Sequence, residues 1–139
     1  MEKKIGLGKS ILTTFCGCPD IPDTAEEFER ILREACTISG CRVRKIDSFV
    51  SDEFPPPEGY TTSGVTCAAI LEESHAVTDS WPEYDALTFD IFTCGEKADP
   101  MKAVEFLKKA LQPRKILYVK GETCEEPSVM ERTAIVYSD

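Results

Sequence analysis

Histidine and tryptophan are almost missing from this 139-residue chain: His75 and Trp81 are the only ones. One imidazole cannot build a His-based metal set. The seven cysteines offer Cys16-Gly17-Cys18 but no paired C-x-x-C ligands, so no metal site is expected. No apolar stretch approaches the roughly 18 residues that cross a bilayer, and MEKKIGLGKS lacks the sustained apolar core of a signal peptide. Basic charge is in deficit, with 25 acidic against 16 basic residues and a net charge of −9. Such a surface repels phosphate backbones, which argues against nucleic acid as a partner and suits a small cationic ligand. The cysteine count is odd and no secretory signal is present, so no disulfide framework is expected and most thiols read as small buried apolar groups. These features describe a soluble, cytoplasmic protein of one domain, residues 1–139, without a membrane span.

What is present reads as alternating strands and amphipathic helices. SILTTFC (10–16) is a first strand, and CPDIPDT breaks it, with Asp23 placed to cap a helix. Residues 24–39 carry Phe28, Ile31, Leu32, Ala35 and Ile38 at helical spacing, with Gly40 as the stop. Strands follow at 41–50, 65–71, 75–81 and 86–94, separated by a proline-rich loop (51–64) and by a turn around Pro82–Asp85. Asp99-Pro100 opens a second helix through 101–112, and RKILYVK (114–120) is a further strand. An additional edge strand is expected within Thr133–Tyr137. The order β-α-β-β-β-β-α-β predicts an α+β two-layer sandwich, a mainly antiparallel sheet with two helices on one face.

Both rare side chains lie in LEESHAVTDSWPEYD (71–85), around Ser74. A serine in a strained turn can attack the preceding carbonyl with its hydroxyl. The peptide becomes an ester, elimination cuts the chain, and a pyruvoyl group is left on the new N-terminus. That carbonyl can form a Schiff base with a substrate amine and act as an electron sink. Composition and spacing alone do not establish this, and without further comparison Ser74 reads as a turn serine beside a surface histidine.

Five short motifs stand in order across residues 64–111: Gly64-Val65-Thr66, Glu73-Ser74-His75, Trp81-Pro82-Glu83-Tyr84, Asp90-Ile91-Phe92-Thr93-Cys94-Gly95, and the helix after Asp99-Pro100. Together they resemble the prokaryotic S-adenosylmethionine decarboxylase family of self-processing proenzymes. The resemblance implies a pyruvoyl cofactor made from Ser74, with cleavage between Glu73 and Ser74 into a β-chain (1–73) and an α-chain (74–139). It also implies that Cys94 returns a proton to the carbanion after carbon dioxide leaves, a task suited to a thiol with an ordinary pKa near 8.5. Thr66 would assist processing, Glu83 and Trp81 would belong to the substrate site, and Phe54 would match the ring on which an adenine stacks. Glu83 has a second reading as a structural carboxylate. A homodimer with sites near the interface is implied as well. The product of S-adenosylmethionine decarboxylation would be the aminopropyl donor for spermidine.

One position departs from the family pattern His-Thr-Trp-Pro-Glu: here it reads Asp79-Ser80-Trp81-Pro82-Glu83. The absent histidine is the family's base in self-processing, and a carboxylate with an ordinary pKa near 4 is a weaker base unless burial raises it. His75 shares parity with Asp79 on an extended strand, and so a face. Asp79 and the acidic loop residues Asp52, Glu53 and Glu58 would suit a cationic substrate tail, which makes ornithine or arginine the alternative to S-adenosylmethionine; the loop acids read equally well as simply solvated. Loss of the imidazole also allows a non-catalytic homologue that regulates an active paralogue.

Overall fold

The computed structural model describes residues 6–51, 55–60, 62–124 and 135–138. Its strands are β1 (Gly6–Cys16), β2 (Val43–Val50), β3 (Val65–Leu71), β4 (Ser74–Trp81), β5 (Ala86–Cys94), β6 (Lys115–Cys124) and β7 (Ile135–Ser138). Its helices are α1 (Ala25–Ile38) and α2 (Pro100–Leu111), with a single 3₁₀ turn at Pro82–Tyr84. All seven strands form one sheet in the order β2-β3-β4-β5-β1-β6-β7, and every ladder is antiparallel. The expected α+β sandwich is therefore the observed one. The tail strand lies at Ile135–Ser138 on the sheet edge, while Thr133 falls outside the described residues.

Strand alternation decides which face the helices cover. Val65, Cys67, Ala69 and Leu71 of β3, Ala76 and Thr78 of β4, and Leu87, Phe89 and Ile91 of β5 are all buried. They pack beneath Phe28, Leu32, Val104 and Leu107 of the helices. Helix α1 lies against β2 and β3, helix α2 against β1 and β5, and the two helices touch each other. Thr24, not Asp23, caps α1: its backbone is extended, and its hydroxyl accepts from the Glu27 amide at 3.2 Å. Asp23 sits one residue too early to reach the amides of the first turn. Asp99 caps α2 as expected, accepting from Met101 N–H at 3.0 Å, with Pro100 in the first helical position.

Among the described residues, no helix lies over the opposite sheet face. Leu12, Phe49, Ile70, Trp81, Leu117 and Val119 have this parity and are exposed, Phe49 at 71% and Ile70 at 58%. An uncovered face carrying that many apolar side chains is uncommon in a monomer. Among the described residues no helix is long and apolar enough to cross a membrane.

Candidate active site

Leu71 pairs with Ser74, so β3 and β4 are joined by only two residues, Glu72 and Glu73. The favoured two-residue hairpin turns need a positive φ at the first central residue or at both. Here the positive φ falls on the second, Glu73, at 55°. A residue with a Cβ adopts that left-handed conformation at a cost, and the cost sits on the residue whose carbonyl precedes Ser74.

The end of β5 closes on this turn. The Cys94 amide donates to Ser74 Oγ at 2.9 Å, and the Cys94 thiol donates to the Glu73 carbonyl oxygen at 2.7 Å. One residue thus holds both the Ser74 hydroxyl and the carbonyl of the Glu73–Ser74 peptide bond. A donor on that carbonyl withdraws electrons from its carbon and stabilises negative charge on the oxygen if the carbon is attacked.

Thr66 and Asp79 form a second cluster. They face each other across β3 and β4, and the Thr66 hydroxyl donates to Asp79 Oδ1 at 2.5 Å. Both line a cavity of 440 Å³ with Ser63, Gly64, Trp81 and Glu83. Among its described lining residues, Asp79 and Glu83 are the only charged ones. Gly64 is required by close packing: a Cβ there would lie 2.5 Å from the Ser80 carbonyl oxygen. Ser80 Oγ in turn accepts from Val65 N–H at 3.0 Å, fixing where the loop joins β3. Asp90 lies diagonally from Asp79 on the open face, and burial, then the Asp79 charge, push its carboxyl pKa upward.

Within one chain the two clusters do not meet. Asp79 is five residues along β4 from Ser74, which at the rise of a strand is about 17 Å. His75 does share the open face with Asp79, but it stacks on Phe92, with ring centroids 5.7 Å apart and planes at 24°. Gly8 makes room for that ring, since a Cβ there would fall 2.4 Å from it. Phe54, Asp52 and Glu53 lie outside the described residues; Glu58 is described and exposed.

The other thiols divide by burial. Burial pushes Cys18 up to about 11 and both Cys36 and Cys67 up to about 12, which makes them poor nucleophiles. Cys16 and Cys41 are half-buried. Among the described residues no three His, Cys, Asp or Glu side chains are placed to hold a metal ion.

Known proteins supply the class first. The chain is 36% identical to an arginine decarboxylase proenzyme of Aeropyrum pernix over 134 residues, 94% of this chain and 96% of that one. It is 34% identical to an S-adenosylmethionine decarboxylase proenzyme of Thermotoga petrophila, covering 84% of this chain and 83% of that one. A further S-adenosylmethionine decarboxylase proenzyme, from Pyrobaculum islandicum, is 31% identical over 81% of this chain and 85% of its own. The chain is a decarboxylase, a lyase. The family model for S-adenosylmethionine decarboxylase matches residues 9–121, and the chain belongs to that family. The crystal structure of the adenosylmethionine decarboxylase from Aquifex aeolicus shares the fold, with a TM-score of 0.70 over 83% of this chain and 88% of that one at 22% identity.

Proposed function

We propose that this chain is a proenzyme that cuts itself between Glu73 and Ser74 and then decarboxylates an amino acid with the pyruvoyl group so formed. The observation that carries this reading is the double contact of Cys94 with the Glu73–Ser74 peptide. Ser74 Oγ bonds to the Glu73 carbonyl carbon as its proton leaves, and the Cys94 thiol supports the oxyanion. The C–N bond then breaks, the nitrogen takes up a proton, and an ester joins the two segments. Loss of the Ser74 Cα proton expels Glu73 as a free carboxylate. Water then replaces the nitrogen as ammonia, leaving the keto group on residue 74.

When formed, that group supplies an electrophilic carbonyl that takes the substrate amine and accepts the electron pair released with carbon dioxide. Ser74, Glu73 and Cys94 fit its formation, because nucleophile, strained carbonyl and hydrogen-bond donor already converge on one bond. Cys94 would then return a proton to the substrate carbon, a role its place beside residue 74 supports.

The base that takes the Ser74 proton is assigned to Asp79, with Thr66 orienting it, and this assignment calls for a second copy of the chain. Two chains packed open face to open face, with their strands antiparallel, would set the Asp79 end of one over the Ser74 end of the other. The exposed apolar residues of that face support such a homodimer. The free thiols suit a reducing compartment, in keeping with a cytoplasmic enzyme.

S-adenosylmethionine is the substrate the family favours, with spermidine synthesis as its setting. A second reading, arginine or ornithine, is favoured by a cavity whose described charged groups are both carboxylates, Asp79 and Glu83, beside the Trp81 ring. The arginine decarboxylase relative of Aeropyrum pernix supports the same reading.

Denaturing mass spectrometry of the purified protein, with and without hydroxylamine, tests cleavage. Two fragments divided at Glu73/Ser74, the second with a pyruvoyl end, are expected. Carbon dioxide release from S-adenosylmethionine, arginine and ornithine then separates the two substrate readings. A chain that stays intact through long incubation would leave a non-catalytic, regulatory homologue in place of the enzyme.

A further inference from the structure

Three buried side-chain oxygens in the described core have no hydrogen-bond partner: Oγ1 of Thr13, Thr78 and Thr93. Buried hydroxyls are normally paired, so each calls for a reason. Thr13 and Thr78 flank Phe89 on its two sides, within apolar packing. Thr93 is placed differently. His75 lies opposite Phe92, and one further step of that register sets Ser74 opposite Thr93.

Both side chains have the parity of the helix-covered face, Ser74 in line with Ala76 and Thr78, Thr93 in line with Phe89 and Ile91. The Cys94 amide points across to Ser74 Oγ, so Phe92 and Cys94 hold the hydrogen-bonding positions facing β4. Ser74 and Thr93 are then a non-hydrogen-bonded pair, the kind whose Cα atoms approach to about 4.5 Å and whose side chains are nearest. Thr93 is 0% exposed. A water-excluded hydroxyl with nothing to bind therefore stands beside the reacting one.

We propose that Thr93 is a positioning residue for self-cleavage. Its oxygen accepts the Ser74 hydroxyl hydrogen when that hydroxyl turns to attack, so that Ser74 Oγ, held also by the Cys94 amide, aims a lone pair at the Glu73 carbonyl carbon. As the Oγ–C bond forms, Ser74 Oγ gives up this proton, the departing nitrogen takes one up, and the C–N bond breaks as described above.

This inference rests on Ser74 being the cleavage residue, and its test keeps the two apart. Wild-type, Thr93→Val, Thr93→Ser and Thr78→Val chains are produced uncleaved or pulse-labelled, and cleavage is followed by denaturing mass spectrometry. Thr93→Val keeps the volume and removes the acceptor, and it should slow cleavage about tenfold or more. Thr93→Ser restores the acceptor and should stay within about threefold of wild type. Thr78→Val deletes an orphan hydroxyl remote from Ser74 and should cleave at the wild-type rate. In a Ser74→Ala background both valine variants should match or exceed the parent's thermal midpoint, which separates positioning from damage to the fold. Should Thr93→Val not fold, Thr93→Cys, similar in size with a weaker acceptor, must show the slowing. Cleavage of Thr93→Val at the wild-type rate, or equal slowing by Thr78→Val, overturns the role of Thr93. A wild-type chain that never cleaves overturns the assignment of Ser74 itself.

Discussion

The Cys94 thiol stands 2.7 Å from the carbonyl oxygen of Glu73, across the turn that joins β3 to β4. The same residue's amide holds Ser74 Oγ, so the thiol is aimed at the carbonyl that Ser74 would attack. A thiol expected to serve decarboxylation is therefore also placed to serve the cleavage that precedes it.

Removing that donor should slow cleavage. Loss of one hydrogen bond to a developing oxyanion costs about 10²–10³ in rate when the donor is strong. A thiol is weaker, so Cys94→Ala is expected to cleave roughly tenfold to a hundredfold more slowly. Cys94→Ser retains an O–H donor and should cleave closer to wild type while losing decarboxylation. Fragment appearance on denaturing gels and carbon dioxide release by the cleaved protein measure the two effects separately. Cleavage of Cys94→Ala at an unchanged rate would confine the thiol to the later step.

Strain at Glu73 makes a different prediction. A side-chain-bearing residue at φ 55° stores on the order of 1 kcal/mol that glycine would not. If breaking the Glu73–Ser74 bond releases it, Glu73→Gly should cleave roughly fivefold more slowly. Glu73→Ala keeps the strained backbone and should cleave as wild type does. Equal rates for Gly and Ala would mean that the strain does not drive the reaction.

Asp90 links the open face to pH. Although the residue is exposed overall, desolvation of its carboxyl, with the Asp79 charge second, raises its folded pKa above the unfolded value. The folded state then binds the extra proton between those two values, so this group's contribution to stability falls as pH rises through that window and stays unfavourable above it. Asp90→Asn removes the penalty. Its thermal midpoint should exceed wild type near neutral pH, and the difference should vanish below the ordinary carboxylate range. A midpoint difference that is constant with pH would show that Asp90 ionisation does not matter to the fold.

Much of this arrangement is legible in the sequence. Period-2 and period-3.6 apolar spacing places all the central strands and both helices, because one sheet face and one stripe of each helix must be buried. Thr24 displaces Asp23 as the cap through a single residue of phase, which spacing alone does not resolve. The separation of Asp79 from Ser74 follows from strand rise once β4 is known to start at Ser74. The Cys94–Glu73 contact is another matter, since it depends on the register of β4 against β5 and on a left-handed glutamate that no local preference signals. The orphan Thr93 hydroxyl likewise emerges only when burial and cross-strand pairing are known together.

Separation of Ser74 from Asp79 by about 17 Å along one strand yields a decisive test of the two-chain site. In a homodimer closed through the open faces, Ser74 of one copy would be served by Asp79 of the other. Ser74→Ala cannot cleave, and Asp79→Ala should cleave at least tenfold more slowly for want of its base. Co-expressed with separable tags, the two variants form mixed dimers in which one site has both residues intact. The Asp79→Ala chain has the intact Ser74, and its partner supplies Asp79, so the Asp79→Ala chain should be the one that is cut. A charge at the centre of the open face, Leu12→Asp, should dissociate the dimer in sedimentation experiments and abolish that rescue, because Leu12 is 53% exposed in the single chain and would be buried in the pair. No cleavage in the mixed dimers, with wild-type homodimers cleaving normally, would place the base within Ser74's own chain and leave His75 as the group to examine.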